Sequence, residues 1–331
     1  MLLMRDLRWV RHSRLRVPMA ALVAAAAGLF AFGSPAVAAQ AAPPGAGGPI
    51  AFSVDTRDGG ACCRLNIATM RPDGSGIRLL TSVKLGNFAQ HPAWSPSRAS
   101  IVYGRSPSGS LGTTQIWTVN ADGSDQRLLV ADPFYQDFEP SYSPDGRHIV
   151  FVRCRPDFSA CGISRVDAQG RHLSTVLPLR TGINSFQPTY SPNGAQIAFN
   201  SYGLAGVTGA VYVMRSDGSG VRRVTPGWLG AATHDWSPDG RHIVIQSNCC
   251  TPRHAAIWQV DIGTGALRQL TTPGARHDFF PSYSPDGTRV AFERDAPDFS
   301  GFAVWVMNAD GTHQHKVGPA LSGEPDWGSA R

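Results

Sequence analysis

Six residues recur at one place in a repeating frame: His91, Glu139, Gln187, Thr233, Phe280 and Glu324. Two residues after each come Ala93, Ser141, Thr189, Asp235, Ser282 and Asp326. One imidazole and four carboxylates at matched positions could hold a cation, or a basic group of a partner. An imidazole beside a carboxylate could also move a proton as a general acid–base pair. His91, His234 and His277 are the histidines placed for that work. The plainer reading is a solvated channel whose polar walls satisfy backbone groups and water. Both readings stay open at this level.

The frame that positions these residues is a repeat. EPSYSPDGRHIVFV (139–152), QPTYSPNGAQIAFN (187–200), THDWSPDGRHIVIQ (233–246) and FPSYSPDGTRVAFE (280–293) are copies of one phrase, and HPAWSPSRASIVYG (91–104) is a degenerate one. The turn serines Ser95, Ser143, Ser191, Ser237 and Ser284 step by 48, 48, 46 and 47 residues. A period of that size with several short strands per copy indicates a radial or solenoid fold. Ser-Pro-Asp-Gly, with Asn for Asp at 193, makes a tight turn between strands A and B in the four close copies: Pro presets the first central position and Gly takes positive φ. Asp-Gly at 73–74, 122–123, 217–218 and 310–311 makes a second hairpin, between strands C and D.

The chain is expected to be all-β, a six-bladed propeller of four-stranded antiparallel blades. Pro49 to Phe52 reads as a strand B without its strand A. Glu324 to Trp327 reads as a strand A without B, C or D. Pairing them completes one blade and closes the ring, which leaves no open junction. The two hairpin families lie on one face. The longer B–C and D–A segments lie on the other, where ligands usually bind. Phe134, Tyr135, Phe138, Phe186, Trp228, Phe279 and Phe280 fall in D–A segments and could form an aromatic rim. Trp94, Tyr142, Tyr190, Trp236, Tyr283 and Trp327 occur once per blade and read as packing between blades.

The motif WSPDG or YSPDG, then an I-x-F strand, then a DGS turn, resembles the TolB-type propeller repeat, a WD-repeat-like family. The resemblance covers nearly all of the chain after its N-terminal segment and implies the propeller fold. Similar blades serve periplasmic scaffolding proteins, the propeller domains of prolyl-oligopeptidase-type peptidases and some lyases. The resemblance therefore leaves activity open.

Composition narrows the class. With 331 residues, 42% hydrophobic and 16% charged, the chain is globular and turn-rich. Arg5, Arg8, Arg11, Arg14 and Arg16 precede an apolar stretch from Val17 to Phe32, and Ala36-Val37-Ala38 follows. This is a secretory signal pattern, giving 1–38 as signal, 39–48 as flexible leader and 49–331 as propeller. The expected location is secreted or periplasmic, with membrane contact only through the export signal. The first 38 residues carry +4 of the formal +6 charge. The rest has no basic tract, which excludes nucleic acid as the expected partner.

In an exported chain, six cysteines favour disulfides. Cys154 and Cys161 flank a hairpin loop and suit a bridge. Cys62-Cys63 and Cys249-Cys250 are adjacent pairs, whose Cα atoms lie about 3.8 Å apart, short for a disulfide. Strained vicinal bonds, free or differently paired thiols, and a zinc site of unfamiliar spacing are the alternatives there.

No GxSxG elbow, HExxH, P-loop or dinucleotide-binding glycine pattern occurs. The serine of Ser-Pro-Asp-Gly recurs as a turn residue, which argues against a nucleophile. The expected function is a non-catalytic exported propeller, a monomer without cofactor, that binds a protein, peptide or glycan on its loop-rich face and funnel. The binding set is His91, Glu139, Gln187, Asp235, Glu324 and Asp326, with room for a bound cation. The alternative is a small hydrolase or lyase with a His/carboxylate site, metal-assisted, in the same funnel.

Overall fold

The structure is a computed structural model. It describes residues 47–56, 64–106, 113–203, 209–248, 255–272, 274, 276–297 and 301–328. The expected signal segment, most of the leader, and Cys62, Cys63, Cys249 and Cys250 lie outside the described residues.

The protein is all-β. Its strands open with β1 (Ile50–Asp55), β2 (Leu65–Met70) and β3 (Arg78–Leu79). A second unit holds β4 (Phe88–Trp94), β5 (Ser100–Ser106), β6 (Gln115–Asn120) and β7 (Arg127–Val130). A third holds β8 (Gln136–Tyr142), β9 (His148–Cys154), β10 (Cys161–Asp167) and β11 (Ser174–Leu177). A fourth holds β12 (Asn184–Tyr190), β13 (Gln196–Tyr202), β14 (Ala210–Arg215) and β15 (Arg222–Arg223). A fifth holds β16 (Ala231–Trp236), β17 (His242–Ser247), β18 (Ala256–Asp261) and β19 (Leu267–Gln269). Then come β20 (His277–Tyr283), β21 (Arg289–Asp295), β22 (Phe302–Asn308), β23 (His315–Lys316) and finally β24 (Ser322–Trp327).

Within each unit, successive strands pair antiparallel. Single parallel bridges, Leu65 with Phe88 and Cys161 with Asn184, join neighbouring units into eight-stranded sheets. β24 pairs antiparallel with β1, Ile50 opposite Trp327. In the third unit, strand A runs from Gln136 to Tyr142 as β8.

The turn chemistry is local. Ser143 Oγ accepts the His148 N–H at 2.9 Å and donates to Asp145, whose Oδ1 accepts the Arg147 N–H at 3.0 Å. Ser191, Ser237 and Ser284 repeat this pattern. These hydroxyls are committed to their turns. The C–D glycines do a second job. A Cβ on Gly170, Gly218 or Gly311 would overlap a carbonyl of the preceding unit's outer strand, at Leu129, Val176 or Leu270. Gly74, in the first unit, meets Val317 of the last in the same way.

The apolar cores lie between units rather than within them. Val150, Ile163 and Val176 pack with Tyr190, Phe199 and Met214 of the next unit. Val244, Ile257 and Leu270 pack with Tyr283, Val290 and Phe292. Ala291, Val304 and Val306 pack with Ile50, Phe52 and Trp327, so the last full unit shares its core with the chain's first strand. Trp94, Tyr190, Trp236, Tyr283 and Trp327 are all buried, and Tyr142 packs against such a layer.

Candidate functional site

The site begins with a backbone irregularity. Each innermost strand breaks register once, between Gln90 and Ala93 in β4, Phe138 and Ser141 in β8, Phe186 and Thr189 in β12, Ala231 and His234 in β16, and Phe279 and Ser282 in β20. Proline causes most of these. It has no N–H for the ladder and sits in sheets only at edges and bulges. Five of the six frame residues precede proline, and those five have positive φ: His91 51°, Glu139 51°, Gln187 47°, Phe280 48° and Glu324 52°. Thr233 precedes His234 instead and is not among them. A left-handed residue with a large side chain costs on the order of 1–2 kcal/mol, and such strain collects where structure over-determines it.

Three of these frame residues reach the next one round the axis. Glu139 Oε2 accepts the Gln187 N–H at 2.8 Å. Glu324 Oε2 accepts the His91 N–H at 2.9 Å and the Ser53 hydroxyl at 2.6 Å. Thr233 Oγ1 accepts the Phe280 N–H at 3.1 Å. Two residues on, Asp326 accepts the Trp94 N–H at 2.8 Å and Asp235 accepts the Tyr283 N–H at 2.9 Å. Asp235 also takes the N–H of Trp236 and the hydroxyl of Ser282. These aspartates fasten one unit to the next.

All twelve frame residues line one central cavity of about 160 Å³, with His234 and the prolines beside them. Its free acceptors are few and specific. Glu324, 6% exposed, has Oε1 without a hydrogen-bond partner, as do the buried atoms Gln187 Oε1 and Thr189 Oγ1. His91 Nε2 stands 3.3 Å from Glu324 Oε1 and 3.8 Å from Glu139 Oε1, ion-pair distances without an aligned hydrogen bond. Burial pushes the Glu139 carboxyl up, opposed by His91 and the Gln187 amide. The Phe280 ring meets the His91 ring edge-on at 6.0 Å.

Behind Glu324 lies a pair with no signature in the repeat. Glu293 and Asp295 are two apart on β21, so they share one face of the strand. Both are buried, and Glu293 Oε2 accepts the Glu324 N–H at 3.0 Å. Burial pushes Asp295 up to about 7, and burial with the Asp295 and Glu324 charges raises Glu293 well above the usual range. Both carboxyls are thereby driven toward their protonated forms. Both groups hold protons more tightly folded than unfolded. Stability therefore falls as pH rises from about 4, the unfolded carboxylate value, through about 7. The isosteric neutral variant Glu293→Gln should gain about 2 kcal/mol at pH 8, roughly 4 °C in Tm, and almost nothing at pH 4. Thermal melts by circular dichroism at the two pH values check this. An equal gain at both would show that burial does not raise these carboxyls.

Other predicted residues separate. His234 takes the place proline holds elsewhere. Burial lowers it to about 4, so it stays neutral at physiological pH. His277 lies at the start of β20, where its Nδ1 accepts the Ala255 N–H at 3.3 Å. Among the rim aromatics, Phe134 and Trp228 are exposed, at 74% and 64%, with Leu85 at 50% in a third D–A segment. Phe186 is buried against Phe138 and Tyr202. Cys154 and Cys161 are cross-strand partners joined by a disulfide.

Sequence reading also missed two buried ion pairs at one repeat position. Arg153 makes a bidentate contact with Asp137 at 2.8 and 2.7 Å, and Arg294 one with Asp278 at 2.6 and 2.8 Å. A signal was present: in these two copies alone, Asp-Phe-x-Pro coincides with an Arg ten residues after the turn serine.

A family model described as the TolB beta propeller domain matches residues 125–331. The Tol-Pal system protein TolB of Anaeromyxobacter dehalogenans (strain 2CP-C) is 34% identical over 94 residues, 28% of this chain and 20% of that protein. The aligned stretch thus spans about a fifth of that relative's length. TolB from Acinetobacter baumannii has the same fold, with TM-score 0.72 and 21% identity over 85% of this chain and 67% of that one. A putative TolB from Agrobacterium tumefaciens gives TM-score 0.62 and 20% identity, over 84% and 91% of the two chains. With the matched segment covering more than half of its length, the chain belongs to the TolB beta-propeller family.

Proposed function

We propose that this protein is an exported, non-catalytic binding propeller that takes a protein partner on its loop-rich face, over the mouth of the central funnel. In this reading it has six four-stranded blades, and β24 beside β1 completes the first of them. The observation that carries the proposal is the funnel mouth. Buried acceptor atoms without partners sit there on strained backbone, and exposed Leu85, Phe134 and Trp228 stand in the surrounding segments. Exposed aromatic and apolar side chains are enriched in protein-binding surfaces relative to the rest of a protein's exterior. The Tol-Pal relatives support a protein partner and a place in the cell envelope, as does the N-terminal segment.

The test places a photo-crosslinking amino acid at Phe134 or Trp228, and, as controls, at Asp145 or Asp239 in the opposite turns. Expressed in the native host, the first two should yield a discrete crosslinked protein and the controls none. Crosslinks from the turn face only, or none to protein, would overturn the reading. A glycan array read with the same chain distinguishes a sugar ligand.

A further inference from the structure

We infer that the funnel is a seat for a single guanidinium group, the arginine side chain of an extended partner segment. This rests on the binding reading above and supplies its chemistry. Glu324 is the starting point. Its Oε2 is committed to the His91 N–H and the Ser53 hydroxyl, while Oε1 makes no hydrogen bond and has only the His91 imidazole beside it, at 3.3 Å, on a cavity-lining side chain only 5% exposed. A buried carboxylate oxygen left without a hydrogen bond is costly and calls for a donor. Glu139 repeats the arrangement one step round the axis, with Oε2 on the Gln187 amide and Oε1 turned toward His91. Gln187 Oε1 and Thr189 Oγ1 add two further buried oxygens without partners. The lining therefore has a surplus of acceptors, and a ligand must bring donors.

Size and geometry select among cations. Both free carboxylate oxygens lie within 4 Å of His91 Nε2, so they are at most about 7 Å apart. A planar fork of N–H donors with bonds of about 2.8 Å covers that span. Among the described residues, no group of three His, Cys, Asp or Glu converges as a metal site requires. The cavity of about 160 Å³ has the scale of one long side chain, below the ~300 Å³ at which drug-sized ligand sites begin. The Phe280 ring offers an apolar wall for a methylene stem.

The experiment follows the His91 imidazole by ¹H–¹⁵N NMR of the full chain, with the signal assigned through His91→Asn. The probes are acetyl-Gly-Arg-Gly-amide, the same peptide with citrulline for arginine, and calcium chloride. The arginine peptide should shift the ring signals and bind at least about tenfold more tightly than citrulline. Glu324→Gln and Glu139→Gln should each weaken it by about tenfold, with Tm little changed because the amide oxygen still accepts the backbone N–H. Equal binding of both peptides, no shift with either, or displacement of the arginine peptide by calcium at the same signals overturns the inference. Should crosslinking at Phe134 and Trp228 persist in Glu324→Gln while the peptides fail to discriminate, the binding function stands and the guanidinium seat falls.

Discussion

Removing residues 322–331 should abolish the cooperative native transition or lower Tm by more than about 10 °C. The lost segment is β24, which supplies β1 with its antiparallel partner on that side. Trp327 is 2% exposed in the core shared by β1 and β22, and its indole N–H donates to Gly48 O at 2.8 Å. Deleting one such side chain costs about 3–5 kcal/mol. The truncation also strips the Ser53 hydroxyl and the His91 and Trp94 amides of their acceptors. Each buried group left unsatisfied costs a further ~1–3 kcal/mol. The sum approaches the whole stability of a typical domain, about 5–15 kcal/mol. Scanning calorimetry of the full chain, the 1–321 chain and Trp327→Ala checks it. The point variant should fall between the other two. A truncated chain melting within a few degrees of the full one would mean that β24 does not clasp the first unit.

The second large effect concerns the Arg153 pair. Asp137→Ala should cost about 3 kcal/mol, because it strips a buried guanidinium of its bidentate carboxylate. The Arg153 side chain is 8% exposed, and Asp132 is its other carboxylate, at 3.6 Å. Removing both charges in Asp137→Ala/Arg153→Met should recover most of the loss, since an apolar side chain of similar length fills the site without desolvating a charge. Urea denaturation of the two variants measures the difference. Asp278→Ala should cost less, because Gln314 Oε1 still accepts from Arg294 at 2.9 Å. If the double variant is no more stable than the single one, packing rather than the unpaired charge explains the cost.

Much of this molecule is legible in the order of its residues. The period, the A–B and C–D turns and the once-per-unit aromatic are local matters. Turn geometry depends on the conformational limits of Pro, Asp and Gly within a few residues, and strand faces follow from alternation. Even the gathering of His91, Glu139, Gln187, Asp235, Glu324 and Asp326 around one cavity follows once a repeat is known to close on an axis.

What those residues are free to do is set in three dimensions. Asp235 and Asp326 look like spare charges in the sequence, yet each spends an oxygen on the amide of the following unit, 48 residues onward for Asp235 and across the chain ends for Asp326. Glu324 keeps one oxygen without a hydrogen bond because the Ser53 hydroxyl and the His91 N–H, more than 200 residues away, take only the other. Glu293 and Asp295 hold their protons more tightly because burial removes water from two carboxyls that would ionise readily on an open strand. Short-range sterics write turns and strands into the sequence. Desolvation and hydrogen-bond partnership arise only when distant segments meet, so the tertiary structure alone decided which polar groups fasten one unit to the next and which keep an acceptor without a hydrogen bond.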